Sequence, residues 1–249
     1  MYPVLFKIGP VVINSFGAMV AIAFLTANYL FTRELRRRKL PNADAAASAV
    51  TLLALGGGIL GAKLFHLAEN YNDFLADPAA QIFSGAGLTF YGGLIVAIAA
   101  IMLYARRKNV PFLLFADAAA PALILAYGIG RIGCQLAGDG DYGTPTDLPW
   151  GMAYPDGLVP TNEIVHPAPV YETLGATAAC FVLWALRKKY PQTGAIFGLY
   201  LVLAGVERLL VEFIRVNPVY FGLSQAQWIS IALIIYGGWL FNSRRRQTP

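Results

Sequence analysis

Residues 92–108 read GGLIVAIAAIMLYARRK, an apolar run that ends in three consecutive basic residues. A helix needs roughly 20 apolar residues to cross the hydrocarbon core of a bilayer. The chain is 57% hydrophobic and only 13% charged, whereas about a quarter of the residues in soluble domains are charged. These features predict an all-α integral membrane protein with seven transmembrane helices, at about 12–32, 46–68, 87–105, 112–132, 168–186, 194–214 and 224–243.

The basic residues are concentrated after every second predicted span. Most of the 19 Lys and Arg residues fall in four short clusters, at 33–39, 106–108, 187–189 and 244–246. Cytoplasmic loops carry the excess of Lys and Arg in membrane proteins. The pattern therefore predicts an N-terminus outside and a cytoplasmic C-terminus. The clusters are too short and too dispersed for a nucleic-acid surface, so no nucleic-acid partner is expected.

No tandem repeat divides the chain, and residues 1–249 are predicted to form a single transmembrane domain. The segment 133–167 is rich in Gly, Pro and Asp, which favour turns over helix. It follows a helix that is predicted to run outward, so it is expected to be an extracytoplasmic loop. Tyr142, Trp150 and Tyr154 within it indicate an ordered cap at the bilayer interface.

Ionisable residues within the predicted spans gather near the outer ends of the helices. Arg131 ends the fourth span and Glu172 lies near the start of the fifth, while the sixth carries Arg208, Glu212 and Arg215 in its outer half. Spacings of four and three residues place these last three on one helical face. Ionisable groups inside a membrane are costly and are commonly functional, so this constellation is the candidate site.

Together with Lys63 of the second span, this constellation predicts a net positive pocket at the depth of the lipid headgroups. Guanidinium groups bind phosphate through two parallel hydrogen bonds, so a phosphate ligand is expected. The alternatives are that Glu212 and Arg215 only hold helices together through a buried ion pair, and that Lys63 extends to the interface. The chain has no histidine metal pair, and residues 138–141 lack the later ligands of a calcium loop. No metal and no other cofactor is expected.

Five motifs are spread over most of the chain: YGGLI at 91–95, GRIGC at 130–134, GTPTDLPWG at 143–151, HPAPVYE at 166–172 and ERLLVEFIR at 207–215. Together, and in this order, they resemble the bacterial prolipoprotein diacylglyceryl transferase family. The resemblance implies a multi-pass enzyme of the bacterial inner membrane, surrounded by membrane lipids. It also implies transfer of the sn-1,2-diacylglyceryl group from phosphatidylglycerol to the lipobox cysteine thiol of a prolipoprotein signal peptide, with release of glycerol 1-phosphate.

By motif position, the resemblance implies roles for ten residues. The implied catalytic residues are Arg131, Arg208 and Tyr91, and the two arginines are expected to hold the phosphate. Glu212 and Arg215 are expected to orient Arg208, and the outer loop is expected to cover the site and guide the signal peptide. The implied substrate-binding residues are Gly92, Gly93, Asp139, Gly143, Glu172, Glu212 and Arg215.

The chain departs from the family pattern at several motif positions. Tyr91 stands in place of the histidine that is often proposed as the base, Cys134 in place of an asparagine, and Asp139 in place of a glutamate. Because the acceptor is itself a thiol, and cations lower the pKa of a thiol, loss of the histidine is expected to cost less than loss of Arg208. Three alternatives remain: a non-catalytic homologue that binds lipid or signal peptide, a transferase with another lipid donor or acceptor, and a transporter of anionic solutes.

Overall fold

The structure is a computed structural model that describes residues 1–9, 11–84, 89–215 and 217–246 of the chain. Most of these residues are helical. The helices are α1 (Ser15–Arg37), α2 (Ala43–Glu69), α3 (Tyr71–Ala76), α4 (Pro78–Phe83), α5 (Phe90–Arg107), α6 (Phe112–Ala137), α7 (Ala168–Leu186), α8 (Ala195–Glu212) and α9 (Gln225–Arg245). Three antiparallel hairpins pair β1 (Val4–Ile8) with β2 (Val11–Asn14), β3 (Met152–Tyr154) with β4 (Thr161–Val165), and β5 (Val219–Tyr220) with β6 (Leu223–Ser224).

Five of the described helices, α1, α2, α5, α6 and α7, are long and apolar enough to cross a membrane. The prediction of a mainly helical membrane protein is therefore confirmed. Helix α8 carries three charged residues in 18, and α9 has polar residues at both ends. These charged and polar residues lower the hydropathy of the two helices. The predicted number of seven spans and the orientation of the termini stay predictions.

Several predicted boundaries differ from the structure. Residues 12–14 belong to β2 rather than to the first helix, because Val11–Asn14 pairs with β1 and β-branched residues favour strands. Helix α6 continues to Ala137, so the first five residues of the predicted loop 133–167 are helical. Helix α8 ends at Glu212, and Arg215 lies in the turn that follows. The first two residues of the predicted span 87–105 lie outside the described residues.

The described residues pack as two compact units. One contains Met1–Phe31 and Ala116–Pro249, and the other contains Thr32–Phe115. They are called the first and the second unit, respectively. The boundaries fall within α1 and α6, and the prediction of one transmembrane domain stays a prediction.

In the second unit, α2 and α5 are in close contact through glycines. A Cβ atom on Gly93 would lie 2.6 Å from the carbonyl oxygen of Gly58, and one on Gly61 would overlap the carbonyl oxygen of Gly92. A Cβ atom on Gly92 would in turn overlap the ring of Phe65. Small residues allow membrane helices to approach closely, so these glycines set the distance between α2 and α5.

In the first unit, buried polar contacts fix the arrangement of α6, α7 and α8. Asp117 of α6 is fully buried, and its carboxylate accepts hydrogen bonds of 2.7 Å from the backbone N–H groups of Gly194 and Phe197 at the start of α8. A carboxylate is favoured at this end of a helix by the helix dipole. The Thr173 hydroxyl of α7 donates to the carbonyl of Gly128 in α6, at 3.1 Å. These contacts set the positions from which the three helices present their charged residues.

The loop between α6 and α7 is ordered by its aromatic residues and by the β3–β4 hairpin. Tyr142 stacks on Tyr154, with ring centroids 5.0 Å apart. Tyr154 is buried, and its hydroxyl donates to Gln135 at 2.9 Å. Trp150 donates through its indole N–H to the hydroxyl of Tyr171 at 2.8 Å. These contacts hold the loop in one arrangement, while its role as a cap at a bilayer interface stays a prediction.

Candidate active site

Six charged side chains of the first unit form one ion-pair cluster. They come from α6, α7, α8, the loop after α6 and the turn after α8, and they are Arg131, Asp141, Glu172, Arg208, Glu212 and Arg215. Five of the six are residues that the sequence singled out. Arginines and carboxylates alternate through the cluster, so every guanidinium has at least one carboxylate neighbour.

Glu172 is the centre of the cluster. Its side chain has no exposed surface, and its Oε1 accepts a hydrogen bond of 2.6 Å from the Tyr127 hydroxyl and one of 3.1 Å from Arg208 Nη1. Its Oε2 forms an ion pair of 3.1 Å with Arg131 Nε and lies 3.8 Å from Arg215 Nη1. A buried carboxylate requires such partners, because an unpaired charge is very costly away from water. Glu172 therefore holds three guanidinium groups in place.

Asp141 is a second bridge between arginines. Its carboxylate forms an ion pair with Arg131, and its Oδ1 accepts a hydrogen bond of 2.5 Å from Arg215 Nη2. Burial alone would raise the pKa of the Asp141 carboxyl, but the hydrogen bonds and positive charges of Arg215 and Arg131 outweigh it and lower that pKa. Asp141 is thus a stable anion that ties the loop between α6 and α7 to α6 and to the turn after α8.

Arg208 carries the most exposed of the three guanidinium groups in the cluster. Its Nη1 contacts Glu172, and its Nη2 forms an ion pair of 2.7 Å with Glu212 Oε2, one helical turn later. Its side chain is 26% exposed, against 17% for Arg131 and 13% for Arg215. Two carboxylates therefore fix the plane of Arg208 while leaving part of the guanidinium open to a ligand.

The charge balance of the cluster corrects the sequence prediction. Three guanidinium groups face three carboxylates, so the cluster is formally neutral rather than net positive. Arg215 contacts Asp141 instead of sharing a helical face with Glu212, because it lies beyond the end of α8. Lys63 belongs to the second unit, where its ammonium donates to the hydroxyl and the carbonyl of Ser84.

Gly143 allows the loop between α6 and α7 to approach the turn after α8. A Cβ atom at this position would lie 2.6 Å from the carbonyl oxygen of Ile214 and 3.0 Å from the Cβ atom of His166. The backbone N–H groups of Gly143 and Thr144 donate to His166 and Ile214, at 2.8 and 2.7 Å. Because Asp141 lies two residues earlier, this close approach positions its carboxylate between the arginines.

Asp139 and Cys134 lie next to the cluster. Among the described residues, the ligand atoms of Cys134, Asp139 and Asp141 all lie within 4.8 Å of one another. A cation there would compete with two guanidinium groups for Asp141, so the charges of this site disfavour a metal. Asp139 accepts a backbone hydrogen bond from Asp141 at 3.3 Å. Asp139 therefore supports the loop, and Asp141 makes the contacts with the arginines.

Tyr91, Gly92 and Gly93 lie in the first turn of α5, in the second unit. Tyr91 is 45% exposed, and its ring meets that of Phe90 edge to face at 5.7 Å. Both glycines are buried against α2, so the close packing of the two helices is enough to explain why glycine occupies these positions. Their role in substrate binding stays a prediction, as does a catalytic role of Tyr91.

The sequence did not identify two residues of the site: Tyr127, and Asp141, which bridges two arginines. Tyr127 precedes Arg131 by four residues, so both lie on one face of α6, and the Arg131 guanidinium lies 5.1 Å from the centre of the Tyr127 ring. This spacing could have identified Tyr127. Asp141 could not be found in this way, because only the folded loop decides which of its acidic residues reaches the arginines.

A sequence model of the prolipoprotein diacylglyceryl transferase family matches residues 3–242. The chain belongs to this family. A relative from Clostridium tetani, named phosphatidylglycerol–prolipoprotein diacylglyceryl transferase, is 35% identical over 249 residues, which cover 98% of each chain. Relatives of the same name from Aeromonas hydrophila and Chlorobaculum tepidum are 35% and 32% identical. They cover 94% and 99% of this chain, and the matches include 87% and 91% of their own lengths.

Proposed function

We propose that this chain is a phosphatidylglycerol–prolipoprotein diacylglyceryl transferase of the bacterial inner membrane. Full-length similarity to relatives of that name supports the reaction. The observation that carries the proposal for the site is the set of three guanidinium groups that Glu172, Asp141 and Glu212 hold in fixed orientations. Such an arrangement suits a phosphate, since each guanidinium presents N–H donors in a planar fork.

We also infer that α8 and α9 cross the membrane with the five more apolar helices, giving seven spans. The basic residues at the ends of α1, α5 and α9, and those that follow α7, would then all be cytoplasmic. In this orientation the N-terminus lies outside. The ion-pair cluster and the loop between α6 and α7 would then face the outer leaflet, where a secreted precursor arrives.

Arg208 and Arg131 bind the phosphate of phosphatidylglycerol in this proposal. Because the cluster is formally neutral, attraction of a distant anion is weak, and the phosphate is held by directed hydrogen bonds instead. The carboxylates keep the arginines from rearranging when the ligand binds. Donors that are already oriented cost no reorganisation during the reaction, which is where such groups lower a barrier most.

The lipobox thiol supplies the nucleophile. Its sulfur attacks C3 of the diacylglyceryl group, a C–S bond forms, and the bond between C3 and the phosphate oxygen breaks. The electron pair stays on the leaving glycerol 1-phosphate, whose growing negative charge is stabilised by Arg208 and Arg131. The thiol proton leaves to solvent. No step requires a metal or another cofactor.

The remaining site residues have supporting roles. Gly143 and Asp139 position the outer loop, which covers the site and guides the signal peptide. Gly92 and Gly93 hold α5 against α2 and so fix the start of α5, where Tyr91 lies. Arg215 acts through Asp141, while Glu172 and Glu212 orient Arg208.

The proposal is tested with purified protein in lipid nanodiscs and a synthetic lipobox peptide. Phosphatidylglycerol is expected to give a diacylglyceryl thioether and one glycerol phosphate per modified peptide. Phosphatidylethanolamine and phosphatidylcholine are the comparison donors, and a peptide with serine in place of the lipobox cysteine is the control. Lipid or peptide binding without any product would instead identify a non-catalytic homologue. Faster turnover of another lipid would identify a different donor.

A further inference from the structure

Glu212 is held on the side opposite Arg208 by two further residues. Its Oε1 accepts a hydrogen bond of 2.6 Å from Asn217 Nδ2 and one of 2.7 Å from the Ser224 hydroxyl. Its Oε2 forms the ion pair with Arg208 Nη2. Hydrogen bonds to a buried carboxylate are stronger than those between neutral groups. The position of the Glu212 carboxylate is therefore set by the chain that follows α8 as well as by Arg208.

Ser224 also begins the next helix. It is the N-cap of α9, and its hydroxyl oxygen accepts a hydrogen bond of 3.2 Å from the backbone N–H of Gln227. Gln227 Oε1 accepts in return from the backbone N–H of Ser224, at 2.9 Å. This capping box uses an oxygen lone pair of Ser224 and leaves its hydroxyl hydrogen for Glu212. Both Ser224 and Gln227 are buried, so water does not compete for these contacts.

We propose that Ser224 and Asn217 are positioning residues that hold Glu212, and through Glu212 the Arg208 guanidinium, in the orientation that binds the lipid phosphate. The inference rests on the proposed function. Each Glu212 oxygen then has its own partners: Oε1 faces Ser224 and Asn217, and Oε2 faces Arg208. Without the two neutral donors, Oε1 would be a buried acceptor without a partner. The carboxylate would rotate to offer both oxygens to Arg208, which would turn the guanidinium away from Glu172.

Two substitutions that are nearly isosteric with each other, Ser224→Asn and Ser224→Asp, separate the two roles of Ser224. Asparagine and aspartate are both good N-cap residues. The Asn side chain can cap α9 and still donate an N–H to Glu212, whereas an Asp carboxylate can cap but cannot donate. We expect Ser224→Asn to stay within about threefold of wild-type turnover and Ser224→Asp to fall by about tenfold or more. Asn217→Asp repeats the comparison at a residue that caps no described helix.

The kinetic readout distinguishes positioning from general destabilisation. If Ser224 acts through Arg208, Ser224→Asp raises the KM for phosphatidylglycerol or lowers kcat, and leaves the KM for the lipobox peptide unchanged. The folded fraction is measured in parallel from the thermal unfolding of both variants. Equal turnover of Ser224→Asp and Ser224→Asn, or equal changes in both KM values, would overturn the inference.

A binding measurement keeps the inference testable if the wild-type protein gives no thioether. Glycerol 1-phosphate is titrated into each protein, and its affinity is read from the rise in unfolding temperature. The affinity of Ser224→Asp is expected to be about tenfold weaker than that of Ser224→Asn. Equal affinities for the two variants contradict the positioning role, whereas a missing thioether from wild type contradicts only the proposed transferase activity.

Discussion

The contact between α2 and α5 and the cluster at the ends of α6, α7 and α8 are built on different physical principles. In the first, Gly61, Gly92 and Gly93 let two backbones approach until a single added carbon would overlap the neighbouring helix. In the second, buried carboxylates fix the orientation of guanidinium groups. The contact between α2 and α5 should therefore be sensitive to changes in side-chain volume. The cluster should instead be sensitive to changes in charge and hydrogen bonding.

The largest expected effect is that of Arg208→Ala on turnover. Removing the most exposed guanidinium of the cluster takes away a donor to the charge that develops on the leaving phosphate, so turnover should fall by about 100- to 1000-fold. Arg106→Ala removes the same side chain from an exposed position at the end of α5 and is the matched control. Release of glycerol phosphate is the measurement, and an equal loss in both variants would mean that general charge matters rather than the cluster.

Glu172→Gln tests whether charge, rather than shape, holds the cluster together. The substitution preserves volume but removes the anion shared by three arginines, so the guanidinium groups should shift and turnover should fall by about 100-fold. If the cluster were held by packing alone, this substitution would hardly change it, because Gln and Glu have nearly the same volume. Nearly wild-type turnover would therefore show that the cluster is held by packing, and would remove the contrast with α2 and α5.

Gly61→Ala tests the opposite principle in the second unit. Its added methyl would meet the carbonyl of Gly92 and the side chain of Val96, so we expect a loss of about 1–3 kcal/mol in unfolding free energy. Gly56→Ala in the same helix is the control, since a Cβ atom there meets no atom within 4 Å. Thermal unfolding in a fixed detergent compares the two variants. Equal stability would mean that the close contact between α2 and α5 is not limiting.

Tyr91→Phe compares the contribution of the Tyr91 hydroxyl with that of the arginines. Tyr91 stands at the motif position where the family usually has a histidine. The substitution removes a hydroxyl and leaves the ring, so a role in proton transfer or in binding the phosphate predicts a loss of about tenfold or less. The effect should remain smaller than that of Arg208→Ala if the arginines contribute most to catalysis. The reverse ranking, measured as kcat under the same conditions, would assign the main acid–base role to Tyr91.

The smallest expected effect concerns Asp141 and pH. Its folded-state pKa is lowered, so its contribution to stability is complete above the unfolded value of about 3.9 and is lost as the pH falls through the folded value. Asp141→Asn should therefore be less stable than wild type at pH 7, and the difference should shrink on acidification. Unfolding midpoints at pH 7 and pH 3 provide the check. A constant difference would show that the Asp141 charge does not stabilise the fold.

The two regions also differ in how far they could be predicted from the sequence. The long helices follow from apolar runs that end in basic residues, and Arg131, Glu172, Arg208 and Glu212 follow from motifs and helical spacing. These features are encoded in short stretches of sequence, so they can be recognised without knowledge of the fold. The sequence did not reveal the N-terminal hairpin, because the apolar residues of Val11–Asn14 look like the first residues of the apolar helix that follows them.

Other features of the site depend on contacts between distant segments. Asp141, rather than Asp139, contacts Arg215 because of the path that the loop between α6 and α7 takes toward this residue, which lies 74 positions after Asp141 in the chain. The central position of Glu172 depends on the packing of α7 against α6 and α8. The neutral charge balance follows from both of these contacts, and no periodicity in the sequence could reveal it.

The most direct test of the central claim is a lipid competition in nanodiscs that compares phosphatidylglycerol with diacylglycerol, which lacks the phosphate. Wild-type protein is predicted to bind phosphatidylglycerol much more tightly than diacylglycerol. The Arg208→Ala variant, at an equal folded fraction, is predicted to bind both lipids with similar affinity. An Arg208→Ala variant that keeps the full wild-type preference would contradict the account, because the phosphate would then be recognised elsewhere in the protein.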